Sequence, residues 1–536
     1  MRKLIPTFLL IVVLLTACGS AATETTEPVT EQSVAINADP IQTYMPPPVT
    51  EGEPQQTPTP DLADYAFFFP TYTPFAPVQA VVAEGTPTAQ LGNTYTVEDN
   101  DIWGTIAEKL NVSVEDLLAA NNSTEYDIIY PGDVLQVPTN KAAGGNLTAS
   151  SIGELDENIP TAEYFKIIPD SELVLSPLTA KFEVASFVSE RGGYLNNYTQ
   201  DVDGRTLSGA QIVDEVSRNY SVNPRLLLSI LEYSNGWVTQ AEPADLDPDF
   251  PIAYFDDYHT GLYRQMMYTA RLLNTGYYGW KTKQITYLVT QEGSKIMPAA
   301  GTNAGTVGIQ ALFAFFEEID RWKTSVGPAG VISTYTSLFG DPFQYRVEPL
   351  LPPGYFQPQL SLPFKAGEDW HFTGGPHAGW DDGSAWAAID FAPPGEPLGC
   401  QDSEYWSTAV AAGIIARSDN GVVVLDLDGD GYEQTGWTIL YLHMATDGRA
   451  AAGTKVKEGD PIGHPSCEGG AAVAAHLHIA RRFNGVWIPA FDQTSPFDLG
   501  GYKASATGPE YDGILSNGTN QIEAQDGYLD TNIIRR

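Results

Sequence analysis

The sequence predicts a multidomain protein: a small β-α-α-β module, a helical middle domain, and a mainly antiparallel β domain toward the C-terminus. Three observations predict it. At 536 residues the chain is too long for one core and suits about three domains. A long stretch rich in Pro, Thr and Glu separates the N-terminus from anything with a regular pattern. Beyond it the hydrophobic period changes twice, from a short strand-helix-helix-strand pattern to helical spacing, and then to short alternating strands parted by Gly and turn residues.

A net charge of -39 argues against nucleic acid or an anionic membrane surface as a general partner, because both would repel it. Residues 1–18 read as a targeting signal. Arg2 and Lys3 form a basic start, Leu4 to Leu15 a short apolar core, and Leu15-Thr16-Ala17-Cys18 closes it with small residues before a cysteine. That core is too short for a comfortable membrane span. Leu15 to Cys18 resembles a bacterial lipobox, which implies a cleaved signal peptide and a lipoprotein anchored by acyl chains on Cys18; an ordinary cleaved signal is the alternative. The rest of the chain is then expected outside the cytoplasm, where Cys400 and Cys467 are expected to form a disulfide rather than a metal or redox pair.

Residues 19–90 carry Pro46-Pro47-Pro48 and Thr57-Pro58-Thr59-Pro60, the composition of a disordered tether. As a random coil it would span on the order of 50 Å. The β-α-α-β module follows at 91–139. Tyr95-Thr96-Val97 alternates as a strand, Ile102, Ile106, Ala107 and Leu110 recur at helical spacing, and Val112 to Ala120 repeats that pattern. Tyr130-Pro131-Gly132-Asp133 is then a turn before the strand Val134 to Pro138. These residues, with Asp101, Leu117 and Asn121, resemble a LysM module; Asn100 stands where that family usually has Gly. The resemblance implies binding to N-acetylglucosamine-containing glycan such as peptidoglycan, with Asp101, Ile102, Ile129 and Tyr130 as the candidate glycan contacts.

Residues 160–345 are expected to be helical. Ser208 and Gln211 form a capping box, and Asn223-Pro224 gives the cap and first position of a helix through Leu231. Glu232-Tyr233-Ser234 and Gly308-Ile309-Gln310 are faintly similar to motifs of lytic transglycosylases, although no Ser directly follows Glu232. A helical scaffold or wall-contacting domain is the preferred reading there.

Residues 355–500 hold most of the chemistry. Gly374-Gly375-Pro376-His377, Ala387 to Phe391 around Asp390, Leu440-Tyr441-Leu442-His443 and His476-Leu477-His478 occur in that order. If His476 to His478 lies on a strand, its two imidazoles share a face, which suits a metal site but also a merely structural pair. A catalytic zinc takes three protein ligands from His, Asp or Glu and keeps one position open, so His377, Asp390 and one histidine of the pair would suffice. The segment resembles the lysostaphin-type zinc metallopeptidases, in particular the beta-lytic branch, in its glycine-rich approach to His377, the twelve residues before Asp390, the run Gly453 to Gly463, and Cys467-Glu468-Gly469-Gly470 before His476. The resemblance implies that His377, Asp390 and His478 bind zinc and that His443 and His476 are catalytic. His371 and His464 fall outside the motif and are expected in supporting or surface positions. Asp426-Leu427-Asp428-Gly429-Asp430-Gly431 begins like a calcium loop, but Trp437 stands where the closing Glu would be, so an acidic hairpin turn is favoured. Residues 501–536 are expected to form an acidic tail.

The expectation is a lipid-anchored, extracellular, cell-wall-associated hydrolase: a zinc endopeptidase of peptidoglycan peptides held on the glycan by its LysM module. A non-catalytic lipoprotein that activates cell-wall amidases is the alternative, disfavoured because all five ligand and catalytic positions are filled. A glycan-cleaving enzyme using Glu232 is a third reading.

Overall fold

The computed structural model describes residues 94–97, 106, 110, 117, 120, 121, 133–137 and 159–536, the last span without 245, 257, 258, 345 and 396–398. All belong to one compact unit, Phe69–Arg536. No helix among the described residues is long and apolar enough to cross a membrane.

In the small module β1 (Thr94–Thr96) pairs antiparallel with β2 (Val134–Gln136), Tyr95 opposite Leu135. Val97, Ile106, Leu117 and Leu135 form its core. Asn121 fastens the helical part to the sheet edge: its amide donates to Leu117 O and Gln136 O, and its carbonyl accepts from Gln136 N.

Among the described residues the middle region has seven α-helices, α1 (Val184–Arg191), α2 (Gly209–Tyr220), α3 (Pro224–Asn235), α4 (Gly261–Lys281), α5 (Ala304–Phe316), α6 (Ile319–Ser325) and α7 (Val331–Phe339). Two small hairpins accompany them, β3 (Thr199–Val202) with β4 (Arg205–Ser208), and β5 (Leu288–Val289) with β6 (Lys295–Ile296). The Ser208–Gln211 capping box opens α2, and Asn223 caps α3 with Pro224 in its first turn. Between them Ser221 takes a left-handed conformation, so α2 turns sharply into α3. Glu232 accepts from the backbone N–H of Val238 and Thr239, closing the loop after α3.

Among the described residues the third region is built on a sheet of nine antiparallel strands: β7 (Trp370–His377), β8 (Ala388–Ala392), β10 (Gly413–Asp419), β11 (Val422–Asp426), β12 (Trp437–Leu442), β13 (Lys455–Val456), β15 (Leu477–Phe483), β16 (Val486–Trp487) and β21 (Ile533–Ile534). The order is β13-β10-β11-β12-β15-β8-β7-β21, with β16 beside β15. The pair β9 (Ser407–Thr408) and β14 (Pro461–Gly463) and the meander β17 (Asp498–Leu499), β18 (Tyr502–Ala506), β19 (Gly513–Ser516) and β20 (Gln521–Glu523) complete it.

Two differences from the sequence reading have physical causes. The strands do not alternate apolar with exposed polar residues, because both faces are covered. Ile389, Val423, Ile439, Tyr441 and Ile479 pack into one core, while Ala388, Val424, Leu440, Leu442 and Ala480 join a second core shared with the helices. Residues 501–536 are no free tail. Leu515 and Ile522 are buried, and Ile533 and Ile534 pair with His371 and Trp370 as the edge strand. The short apolar runs between acidic residues were the signal for that.

Candidate metal centre

Antiparallel register assembles the site. Asp390 lies in the middle of β8, and His478 of β15 is directly opposite it, with Leu442 of β12 on the other side. His377 ends β7, the other neighbour of β8. His443 follows β12 at once and has a positive φ of 64°, a backbone state that bulky residues enter only where the surroundings force it. His476 precedes β15, in an isolated bridge with Ser466, and its ring centre is 4.5 Å from that of His443.

Each of the four imidazoles has a backbone carbonyl behind it. His377 Nδ1 is 2.8 Å from Gly375 O, His443 Nδ1 3.0 Å from Glu468 O, His476 Nδ1 2.8 Å from Ala474 O, and His478 Nε2 3.2 Å from Gly379 O. A carbonyl only accepts, so these nitrogens carry the protons and the opposite ring nitrogens are bare. On the ligand-side nitrogens, His377 Nε2 and His478 Nδ1 stand 2.9 Å apart. Asp390 Oδ1 is 3.2 Å from the first, 3.4 Å from the second and 3.9 Å from His476 Nε2.

This donor set fits a metal ion. His377, Asp390 and His478 each present a ligand atom within 4.8 Å of the others, and all three residues are buried. Asp390 Oδ1 is buried and accepts no hydrogen bond. Such an oxygen facing two bare nitrogens is costly unless a cation lies among them. Two nitrogens and one carboxylate oxygen match the three-ligand set of a catalytic zinc, and the carbonyls behind His377 and His478 supply the outer contacts that orient metal-binding imidazoles.

Burial pushes His478 down. It pushes His443 further, well below the ordinary histidine value, and the neighbouring His476 and His478 add to the effect.

The Cys400–Cys467 disulfide closes a loop around His443. Cys467 adjoins Glu468, whose carbonyl orients His443, while the Glu468 carboxylate accepts from Thr446 N and Oγ1. The sequence reading missed Tyr511, whose ring stacks on His377 at 4.3 Å and 17°, and Glu510, which accepts from Ala378 N. Both lie in the segment read as a tail. Of the histidines outside the cluster, His371 faces Asn532 Oδ1 and His464 packs on Trp406. Asp426 accepts from the backbone N–H of Asp428, Gly429 and Gly431, so the acidic run closes on itself as a hairpin turn. Cys18, Asp101, Ile102, Ile129 and Tyr130 lie outside the described residues.

Residues 95–138 match the LysM domain family, and residues 166–353 match the family described as LasA, N-terminal domain. The first match falls on the expected module; the second gives the helical region a relationship that its periodicity alone did not. No curated protein matches the chain. Solved structures similar to it include "A Novel M23 Metalloprotease Pseudoalterin from Deep-sea", at 20% identity and a TM-score of 0.27, covering 32% of this chain and 98% of that one. The catalytic domain of lysostaphin from Staphylococcus simulans is similar at 20% identity and a TM-score of 0.17, covering 24% and 95%. A zinc-containing peptidase from Vibrio cholerae is similar at 19% identity and a TM-score of 0.16, covering 21% of this chain and 30% of that one.

Proposed function

We propose that the protein is a zinc-dependent endopeptidase that cleaves peptide bonds of peptidoglycan, kept on its polymeric substrate by LysM glycan binding and at the membrane by a lipid on Cys18. The observation that carries this reading is the set of four carbonyl-backed imidazoles around the orphaned Asp390 oxygen. His377 Nε2, Asp390 Oδ1 and His478 Nδ1 would hold the zinc. When bound, zinc supplies a Lewis acid that polarises the scissile carbonyl and lowers the pKa of water toward neutrality.

The remaining steps belong to the chain. His443 has its proton on Nδ1 against Glu468 O, which leaves Nε2 free to accept one. With that one proton on Nδ1 the ring is neutral, the state a general base needs. His476, fixed the same way by Ala474 O, is the second proton carrier beside Asp390. Between them the two imidazoles take the proton of the attacking water and return it to the leaving amine. LysM binding would raise the local concentration of peptide around the site without any new contact to it.

The test is digestion of purified peptidoglycan by the soluble chain, with fragments identified by mass spectrometry. New amino termini within the peptides are expected. Anhydro-sugar ends would move the activity to the helical region and Glu232. Zinc bound without any cleavage would support the amidase-activator reading instead.

A further inference from the structure

The helical region does more than cover the sheet, because it reaches the metal centre through one short path. The last three residues of α2 and Ser221, which follows them, each hold a different part of the sheet region. Arg218 Nη1 donates to Glu433 Oε1 at 3.2 Å, and Arg417 Nη1 donates to Asn219 Oδ1 at 2.8 Å. Tyr220 OH donates to Asp381 Oδ2 at 2.5 Å, and Ser221 Oγ donates to Gly485 O at 2.6 Å. The last carbonyls of a helix have no partner within it. Here Arg482 Nη1 donates to Arg218 O, and Trp487 Nε1 and Asn274 Nδ2 donate to Tyr220 O. The end of α2 is therefore completed mostly by side chains of the sheet region.

Two of those contacts converge on the loop between the ligands His377 and Asp390. Asp381 belongs to that loop and has a positive φ of 51°. Its neighbour Asp382 pairs with Arg271 of α4 at 3.5 Å. Trp487, held by Tyr220 O and by Tyr278 OH on its backbone N–H, lies with its ring against Gly379 so closely that a Cβ there would collide with it. Gly379 O is the carbonyl that accepts from His478 Nε2 and so fixes which nitrogen His478 turns inward.

We propose that Tyr220 is a positioning residue for the metal centre: through Asp381 and Trp487 it fixes the Gly379 carbonyl that orients His478. The proposal rests on the reading of His478 as a metal ligand. Removing a direct outer partner of a ligand costs about 10–100-fold in metal affinity, so Tyr220, one contact further out, is worth roughly 3–10-fold.

The experiment compares zinc dissociation constants, by competition with a chromophoric chelator, and the visible spectrum of the cobalt-substituted full-length chain. Tyr220→Phe removes one hydroxyl and keeps the buried ring. Asp381→Gly removes the acceptor at a position whose left-handed backbone glycine tolerates, and serves if Tyr220→Phe fails to fold. Both are expected to weaken zinc roughly 3–10-fold and to shift the cobalt bands, with Asp381→Asn, which keeps an acceptor, restoring wild-type values. Ser221→Ala loosens the same dock away from the loop and is expected to leave zinc affinity unchanged. Folded Tyr220→Phe and Asp381→Gly chains with wild-type zinc affinity and spectrum would overturn the proposal. So would a Ser221→Ala chain that loses as much, since the effect would then be general loosening. A wild type that binds zinc but cleaves nothing removes the peptidase reading, and the zinc comparison still decides this one.

Discussion

His476 and His478 are two residues apart and both approach the same carboxylate oxygen, yet their ring orientations differ. His478 turns Nδ1 toward Asp390 Oδ1 at 3.4 Å and its proton toward Gly379 O, while His476 offers Nε2 at 3.9 Å and lies beside His443. Under the proposed function the first binds the metal and the second transfers protons. His478→Ala is therefore expected to lose bound zinc. His476→Ala is expected to keep it and to lose about 10²–10⁴ in rate, the usual worth of a positioned acid-base group. Metal content by atomic absorption, with peptide-cleavage rates on the same samples, checks both; equal zinc loss in the two variants would contradict the assignment. His377, Asp390, His443 and the His-x-His pair could be picked out from the sequence because side chains carry the chemistry. The carbonyls of Gly375, Gly379, Glu468 and Ala474 could not, because a backbone atom has no letter of its own. Tyr511 could not either, since only the fold returns the C-terminal hairpin to His377.

The contact between α2 and the sheet is centred on a buried acid. Glu433 accepts from Arg482 at 2.7 Å and from Arg218 at 3.2 Å, with Arg417 at 3.1 Å. Burial alone would raise its carboxyl, but Arg417, Arg482 and Arg218 bring it down to about 2 from an ordinary 4.5. A depressed pKa means stability present above the unfolded value and lost as pH falls through the folded one. The contribution is thus complete above pH 4.5, declines below it, and is gone under about 2. A shift of that size is worth on the order of 3 kcal/mol. Glu433→Gln leaves the buried arginines uncompensated and is expected to cost about 3–5 kcal/mol at pH 7. In urea unfolding, the gap between wild type and variant should be constant from pH 7 to 5 and shrink from pH 4.5 toward 2; a gap independent of pH would show that Glu433 is not the group responsible. The helix caps at Ser208 and Asn223 were legible in sequence because capping is local. The dock was not, since Arg218 and Glu433 are 215 positions apart.

Across the whole molecule, the order of a small module, a helical region and a sheet region was readable from the changes in hydrophobic period. The way the last two share a core was not. Ala388, Leu440 and Ala480 face the helices from the same sheet face that carries Asp390 and His478, so apolar strand residues on that face signalled a partner layer rather than an edge exposed to water. The helical region thereby shares a core with the strands that carry Asp390 and His478, and residues 95–138 match the LysM domain family. The proposed activity depends on one ion acting at one centre. The most direct measurement is zinc titration of the chelator-stripped full-length chain while following new amino groups released from purified peptidoglycan. No release is expected without metal, and the rate should rise linearly to a break at one zinc per chain. Cleavage that survives complete removal of zinc, or none at full occupancy, would contradict it.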